Sequence, residues 1–281
     1  MLLKRVVTAV VLLGILAVDL SLENPWPLLV FFSLVVGVTA YEWLRLTAPQ
    51  STWLAVILGV VLTVVTGVQA YQWLAGDGDQ LDILHATVVV SVLVWLTAIP
   101  WKLLTAQINN NPQSIAWSLF APVCLFATWG VLALLWINSG AWSLLSLLLL
   151  IWIADILAYF GGKQFGKQKL APHISPGKTR EGALFGLAGV VLWMLVTASI
   201  DNSYASWLLQ LWGWVGLIAA SVLLGVLAVM GDLFESFLKR QANVKDSSRL
   251  LPGHGGVYDR VDAVVAVVPV AYFLVSDFWY S

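Results

Sequence analysis

The sequence predicts an all-α polytopic integral membrane protein of about nine transmembrane helices, with its N-terminus in the cytoplasm. Of its 281 residues 60% are hydrophobic and only 10% are charged, against roughly 25% charged in an average soluble domain. Apolar runs that approach the roughly 20 residues needed to cross a hydrocarbon core recur nine times. All 14 Lys and Arg residues fall on one side of the layout those runs define, the side that the positive-inside tendency assigns to the cytoplasm. The net charge of -1 offers no electrostatic footprint for a nucleic acid. Cys124, the only cysteine, lies in an apolar run, so a disulfide framework is excluded.

The first run, 6–22, follows Lys4 and Arg5 and has no small-x-small cleavage site before Asp19, so it reads as a span rather than a signal peptide. Runs 27–46, 53–74, 84–101 and 117–137 follow, separated by short polar turns such as Asn109-Asn110-Asn111-Pro112. These five spans make an N-terminal region, 1–140. Runs 141–160, 183–200, 206–230 and 263–280 make a C-terminal region, 141–281, interrupted by polar loops at 161–182 and 231–262. Lys4, Arg5, Arg45, Lys102 and the clusters Lys163 to Arg180 and Lys239 to Arg260 all face inward in this layout. The outward connections hold Asp19, Glu23, Asp77, Asp79, Asp82 and Asp201 and no basic residue. Many of the 16 tryptophans sit near predicted span ends, as an aromatic belt does.

Charge is concentrated. Segments 155–181 and 232–262 carry 17 of the 29 charged residues, which points to a working site at the cytoplasmic face of the C-terminal half. In the first segment, Asp155 interrupts its span about one and a half turns from the cytoplasmic end, where a carboxylate needs water, a partner or a metal. Gly161, Gly162 and Gly166 alternate with lysines, as in a loop whose N–H and ammonium groups meet phosphate. Attraction to anionic lipid also accounts for those lysines. Gly177-Lys178-Thr179 is not a P-loop, because Pro172 stands where that pattern needs glycine. Thr179 and Glu181 also suit the cap of the helix that follows.

In the second segment, Asp232, Glu235, Ser236 and Lys239 share one face if the eighth span continues as helix. Asp259 and Asp262, three residues apart at the start of the ninth span, can face them across the bundle. Hard oxygen ligands beside lysines suit Mg²⁺ with a phosphorylated substrate. Zinc is not indicated: there is no cysteine cluster or HExxH pattern, and neither His173 nor His254 has a second imidazole at ligand spacing. His254-Gly255-Gly256 fits a backbone that must come close to something, since glycine has no Cβ.

The run Ser236-x-Leu238-Lys239-Arg240, four residues, Lys245-Asp246-x-Ser248, two residues, Leu251-Pro252-x-His254-Gly255-Gly256-Val257-x-Asp259-Arg260-Val261-Asp262 resembles the signature of the phosphatidate cytidylyltransferase, or CDP-diacylglycerol synthase, family. Asp155 with Ala158-Tyr159-Phe160-Gly161, and Ile174-Ser175-Pro176-x-Lys178-Thr179-x-Glu181-Gly182, are similar to the same family. Lys163 departs from it, standing where Arg is expected, which keeps the charge but loses the bidentate fork. The resemblance implies an inner-membrane enzyme that joins phosphatidate and CTP into CDP-diacylglycerol and pyrophosphate with Mg²⁺, among membrane lipids, with no nucleic acid partner and as a homodimer.

The resemblance also implies roles. Asp232 and Asp259 are the principal metal ligands, with Asp155, Asp246 and Asp262 as further candidates and Ser236 as a nearby oxygen contact. Lys178, Lys239, Arg240, Lys245 and Arg260 meet substrate phosphates, with Thr179 beside Lys178. His254, Gly255 and Gly256 line the nucleotide site, and Asp232, Asp259, Lys178, Lys239 and His254 form the catalytic set. A secondary transporter would place charge near the midplane and show two related halves, and the sequence has neither pattern. A CTP-dependent lipid kinase, or a transferase acting on another lipid phosphate, would share Mg²⁺ and differ in products.

Overall fold

The computed structural model describes residues 24–276 apart from 77–80, 106–107, 109–111 and 254, together with residues 14, 18 and 22. The expected first span therefore lies almost wholly outside the described residues, and His254 lies outside them too. The chain forms α1 (Trp26–Thr47), α2 (Thr52–Ala75), α3 (Asp82–Leu104), α4 (Ile115–Leu134) and α5 (Gly140–Phe165). A hairpin of β1 (Lys169–Ala171) and β2 (Ser175–Thr179) leads into α6 (Arg180–Thr197), α7 (Tyr204–Gln241) and α8 (Tyr258–Leu274).

Among the described residues, six helical stretches are long and apolar enough to cross a membrane. One of them, Ile115–Phe165, has 51 residues, about 76 Å at 1.5 Å per residue, more than twice a hydrocarbon core of about 30 Å. It breaks where α4 ends in a π-helical turn, Leu135–Ser139, and Gly140 takes a φ of 75°, a conformation that side chains with a Cβ avoid. A second break, at Gly213 with φ 63°, separates a short arm of α7 from the long arm that reaches Gln241. In α3 a π-helical turn, Val94–Ala98, precedes Pro100, whose missing N–H disturbs the regular ladder.

Helix α8 is the centre of the bundle. Its residues from Asp262 to Tyr272 are all buried, and it packs on α7, α4, α3, α5 and α1. Its Ala- and Val-rich sequence is apolar on every side, which suits a helix surrounded by others, and its small residues let neighbours come close. Outer helices behave oppositely: Val56, Val60 and Val64 of α2 are exposed, as lipid-facing residues are.

Two local expectations change. The loop expected over 161–182 is partly ordered: α5 continues to Phe165, and β1 pairs antiparallel with β2 through Lys169 with Thr179 and Ala171 with Ser175. Pro172 and Pro176 exclude helix there, and an edge strand tolerates a missing N–H. The ninth run also moves. Its helix starts at Tyr258, not 263, and ends at Leu274, because its first N–H groups find carboxylate acceptors, described next.

Candidate active site

Helices α5, α6 and α7 and the hairpin enclose a cavity of about 520 Å³. Small residues make the room: Ala154, Ala158, Gly162, Gly182, Ala183 and Ala228 all lie on its wall. Asp155, Lys163, Lys178, Thr179 and Asp232 supply its charged and hydroxyl groups. Lys178 reaches across from β2 and pairs with Asp232 of α7, Nζ to Oδ2 at 2.6 Å. Both partners keep partial solvent contact, with side chains 24% and 33% exposed, so either can be reached by a ligand.

The hairpin that carries Lys178 is tied down at three points. Glu181 accepts from the backbone N–H groups of Lys167 and Gln168 at 3.1 and 3.2 Å. Arg240 Nε of α7 donates to Ile174 O at 3.3 Å near the hairpin tip. Thr179 Oγ1 accepts from Gly182 N at 3.1 Å and caps α6, satisfying one of the N–H groups a helix start leaves free. Of the two sequence readings for Thr179, the structure gives the cap, and the residue lines the cavity as well.

Helix α7 does continue past residue 230, and Asp232, Glu235, Ser236 and Lys239 share a face as the spacing predicts. Ser236 Oγ donates to Asp232 Oδ1 at 3.3 Å. The α7 and α8 backbones touch at Gly231, where a Cβ would collide with the carbonyl of Asp262 and the Cα of Ala263. This close approach brings the carboxylates of Asp232, Glu235 and Asp262 within 4.8 Å of one another, a group that could hold a metal ion. Glu235 and Asp262 are buried, and Glu235 Oε1 has no hydrogen-bond partner among the described residues.

Asp259, the expected second metal ligand, lies next to that group, bridged to Glu235 by Lys239 Nζ. Its Oδ1 accepts from Lys239 Nζ at 2.6 Å, while Oδ2 accepts from Ser247 N (2.9 Å), Ser247 Oγ (2.7 Å) and Gly256 N (2.7 Å). Both its oxygens accept from the protein, as both oxygens of Asp232 do. Lys239 also pairs with Glu235, so one largely shielded ammonium links Asp259 to the carboxylate cluster. Such a link matters because an unpaired buried charge is costly. Of the remaining predicted residues, Lys245, Asp246 and Arg260 are exposed, and Gly255 takes φ 84° in a tight turn closed by Leu251 N to Gly255 O.

The sequence reading places Glu235 on this face without naming it a ligand, and it misses Glu42 altogether. Glu235 is the third carboxylate of the cluster, and its place on the Asp232 face was already legible from spacing. Glu42 of α1 is fully buried, and its carboxylate receives four hydrogen bonds from segment 247–258. The signal available was its position, a lone carboxylate within the apolar run 27–46, since ionisable groups inside membrane helices have functional partners by default.

Three clustered carboxylates flanked by two lysines, at one end of a helical membrane bundle beside a small-residue cavity, form an arrangement suited to phosphate transfer. The chain belongs to the cytidylyltransferase family, whose model matches residues 3–278. It is 36% identical over 279 residues to a phosphatidate cytidylyltransferase of Pseudomonas aeruginosa, covering 96% of this chain and 95% of that one. The corresponding protein of Haemophilus influenzae is 34% identical over 294 residues, covering 97% and 98%. One from Bacillus subtilis is 44% identical over 128 residues, covering 46% and 45%. The chain is accordingly an enzyme that transfers a nucleotidyl group.

Proposed function

We propose that the protein transfers the cytidylyl group of CTP to phosphatidate, giving CDP-diacylglycerol and pyrophosphate, with Mg²⁺ held by Asp232, Glu235 and Asp262. The observation that carries this reading is the convergence of those three carboxylates beside Lys178 on the cavity wall. The names of the full-length relatives support the substrates. A metal fits: the donors are hard oxygens, and Glu235 Oε1 is a buried acceptor without a partner among the described residues. When bound, Mg²⁺ neutralises triphosphate charge and polarises the phosphoryl group under attack.

The chemistry asks little of a base. A phosphate monoester has a second pKa of about 6, so a phosphatidate oxygen is anionic at neutral pH. It attacks the α-phosphorus of CTP, the bond to the bridging oxygen breaks, and pyrophosphate leaves with the electron pair. The difficulty is bringing two anions together in line, which requires fixed positive charge. Lys178 exchanges Asp232 for a phosphate oxygen, and Lys239 holds Glu235 and Asp259 in place. The Gly and Ala wall lets phosphate groups approach the backbone, and the acyl chains remain among the helices. The reading places this site at the cytoplasmic face of the inner membrane, in a nine-span chain with its N-terminus inside.

The test is to incubate detergent-purified protein with phosphatidate, Mg²⁺ and CTP labelled at either the α- or the γ-phosphate. The expected result is α-label in lipid and γ-label in pyrophosphate. γ-Label in lipid would identify a kinase and end this reading.

A further inference from the structure

Glu42 sits on α1 with no side-chain exposure, in a helix otherwise apolar for most of its length. Burying a carboxylate costs several kcal/mol unless partners compensate, so its partners say what it is for. Oε2 accepts from Tyr258 N at 2.7 Å and Ser247 Oγ at 3.0 Å; Oε1 accepts from Ser248 Oγ at 2.6 Å and Val257 N at 3.1 Å. All four donors lie in one short segment, 205–216 residues further along the chain. That number of donors nearly fills the lone-pair sites of a carboxylate.

Two of the donors are backbone N–H groups at the start of α8, whose N-cap residue Val257 makes no side-chain cap of its own. Glu42 therefore caps α8 from another helix, placing negative charge at the positive end of its dipole. The adjacent Trp43 stacks on Tyr258, ring centroids 4.8 Å apart and planes 13° from parallel. A Cβ at Gly256 would run into Ser247 Oγ and Glu42 Oε2, so the glycine turn is shaped around this carboxylate. Ser247 Oγ lies within hydrogen-bond distance of both Glu42 and Asp259. Its single proton serves one of the two acidic groups at a time, and Asp259 leads through Lys239 to Glu235 in the carboxylate cluster.

We propose that Glu42 is a positioning residue for the nucleotide side of the site: it clamps segment 247–258 to α1, and so holds the Gly255-Gly256 turn and Asp259 where CTP needs them. This rests on the cytidylyl-transfer reading above for its kinetic consequence, but the clamp itself does not.

The experiment compares full-length wild type, Glu42→Gln, Glu42→Asp and Ser248→Ala in detergent, with two readouts. The first is tryptic cleavage after the exposed Lys245, just before the clamped segment, and the exposed Arg249 within it. The second is separate KM values for CTP and phosphatidate. Hydrogen bonds to a charged group contribute roughly 1.5–3 kcal/mol each, so Glu42→Gln should raise the CTP KM about 10-fold or more, with the phosphatidate KM within about 2-fold. It should also speed cleavage at the two sites about 10-fold, tracking the population of the opened segment. Ser248→Ala should move both readouts in the same direction by less, and Glu42→Asp, which keeps the charge, should recover part of each.

A merely structural role would lower kcat with the folded fraction and leave the CTP KM alone, and that result would overturn the proposal. Wild-type cleavage rates in Glu42→Gln, or in Ser248→Ala should Glu42→Gln not fold, would overturn it as well. An inactive wild type would instead defeat the cytidylyl-transfer reading, and the cleavage readout would still decide the clamp.

Discussion

Asp232 and Asp259 open similar acidic pairs in the sequence, each followed three residues later by another carboxylate, yet their surroundings differ. Asp232 faces the cavity and is held by one lysine and one hydroxyl, whereas Asp259 is surrounded by donors from its own loop and by Lys239. Asp232→Asn should therefore lower turnover by about 100-fold or more and raise the Mg²⁺ concentration for half-maximal rate. On the proposed ligand set of Asp232, Glu235 and Asp262, Asp259→Asn should also lower turnover but leave that concentration within about 2-fold. Mg²⁺ titration of label transfer in the two variants measures the difference, and matching shifts would return Asp259 to the metal. The α7 face was legible because i, i+3, i+4 and i+7 spacing is a local rule. What Asp259 and Glu42 touch was not, since Glu42 meets residues more than 200 positions away and no periodicity records that.

Among the helices, α7 and α8 make the contact on which the carboxylate cluster depends. Gly231 allows it: a side-chain carbon there would press on Asp262 O and lie 2.9 Å from Ala263 Cα, where neither backbone can yield cheaply. Gly231→Ala should cost about 1–3 kcal/mol as an overpacking change, lower the thermal midpoint and reduce activity more than stability. A thermal melt beside label transfer checks this, and a variant with wild-type values in both would show that the helices can separate freely. Helix existence was readable from apolar runs, and their ends were less so. Phe165 extends α5 and Tyr258 starts α8 inside segments whose charge suggests loop, because capping carboxylates and a hairpin satisfy the backbone there.

For the molecule as a whole, the hairpin and the signature loop lie at the same end of the bundle, where Arg240 meets Ile174 and Glu42 meets Ser247. The proposed layout puts that end in the cytoplasm. Lys169→Cys and Lys245→Cys, both at exposed positions, should react with an impermeant thiol reagent only from the cytoplasmic side, while native Cys124 stays silent in the core. Labelling from the opposite side would invert the layout. Polytopic character and the family were legible in one sequence, because hydropathy and a 27-residue motif are linear signals; the contact of Glu42 with segment 247–258 was not, because it arises only on packing. The Glu42 cap on α8 also bears on how the protein is made. The two residues are 216 positions apart, so at 5–20 residues per second a ribosome takes roughly 10–40 s to deliver the partner. During that interval the carboxylate waits in a nascent helix bundle without the N–H donors of Val257 and Tyr258, and a chain truncated before α8 never acquires them.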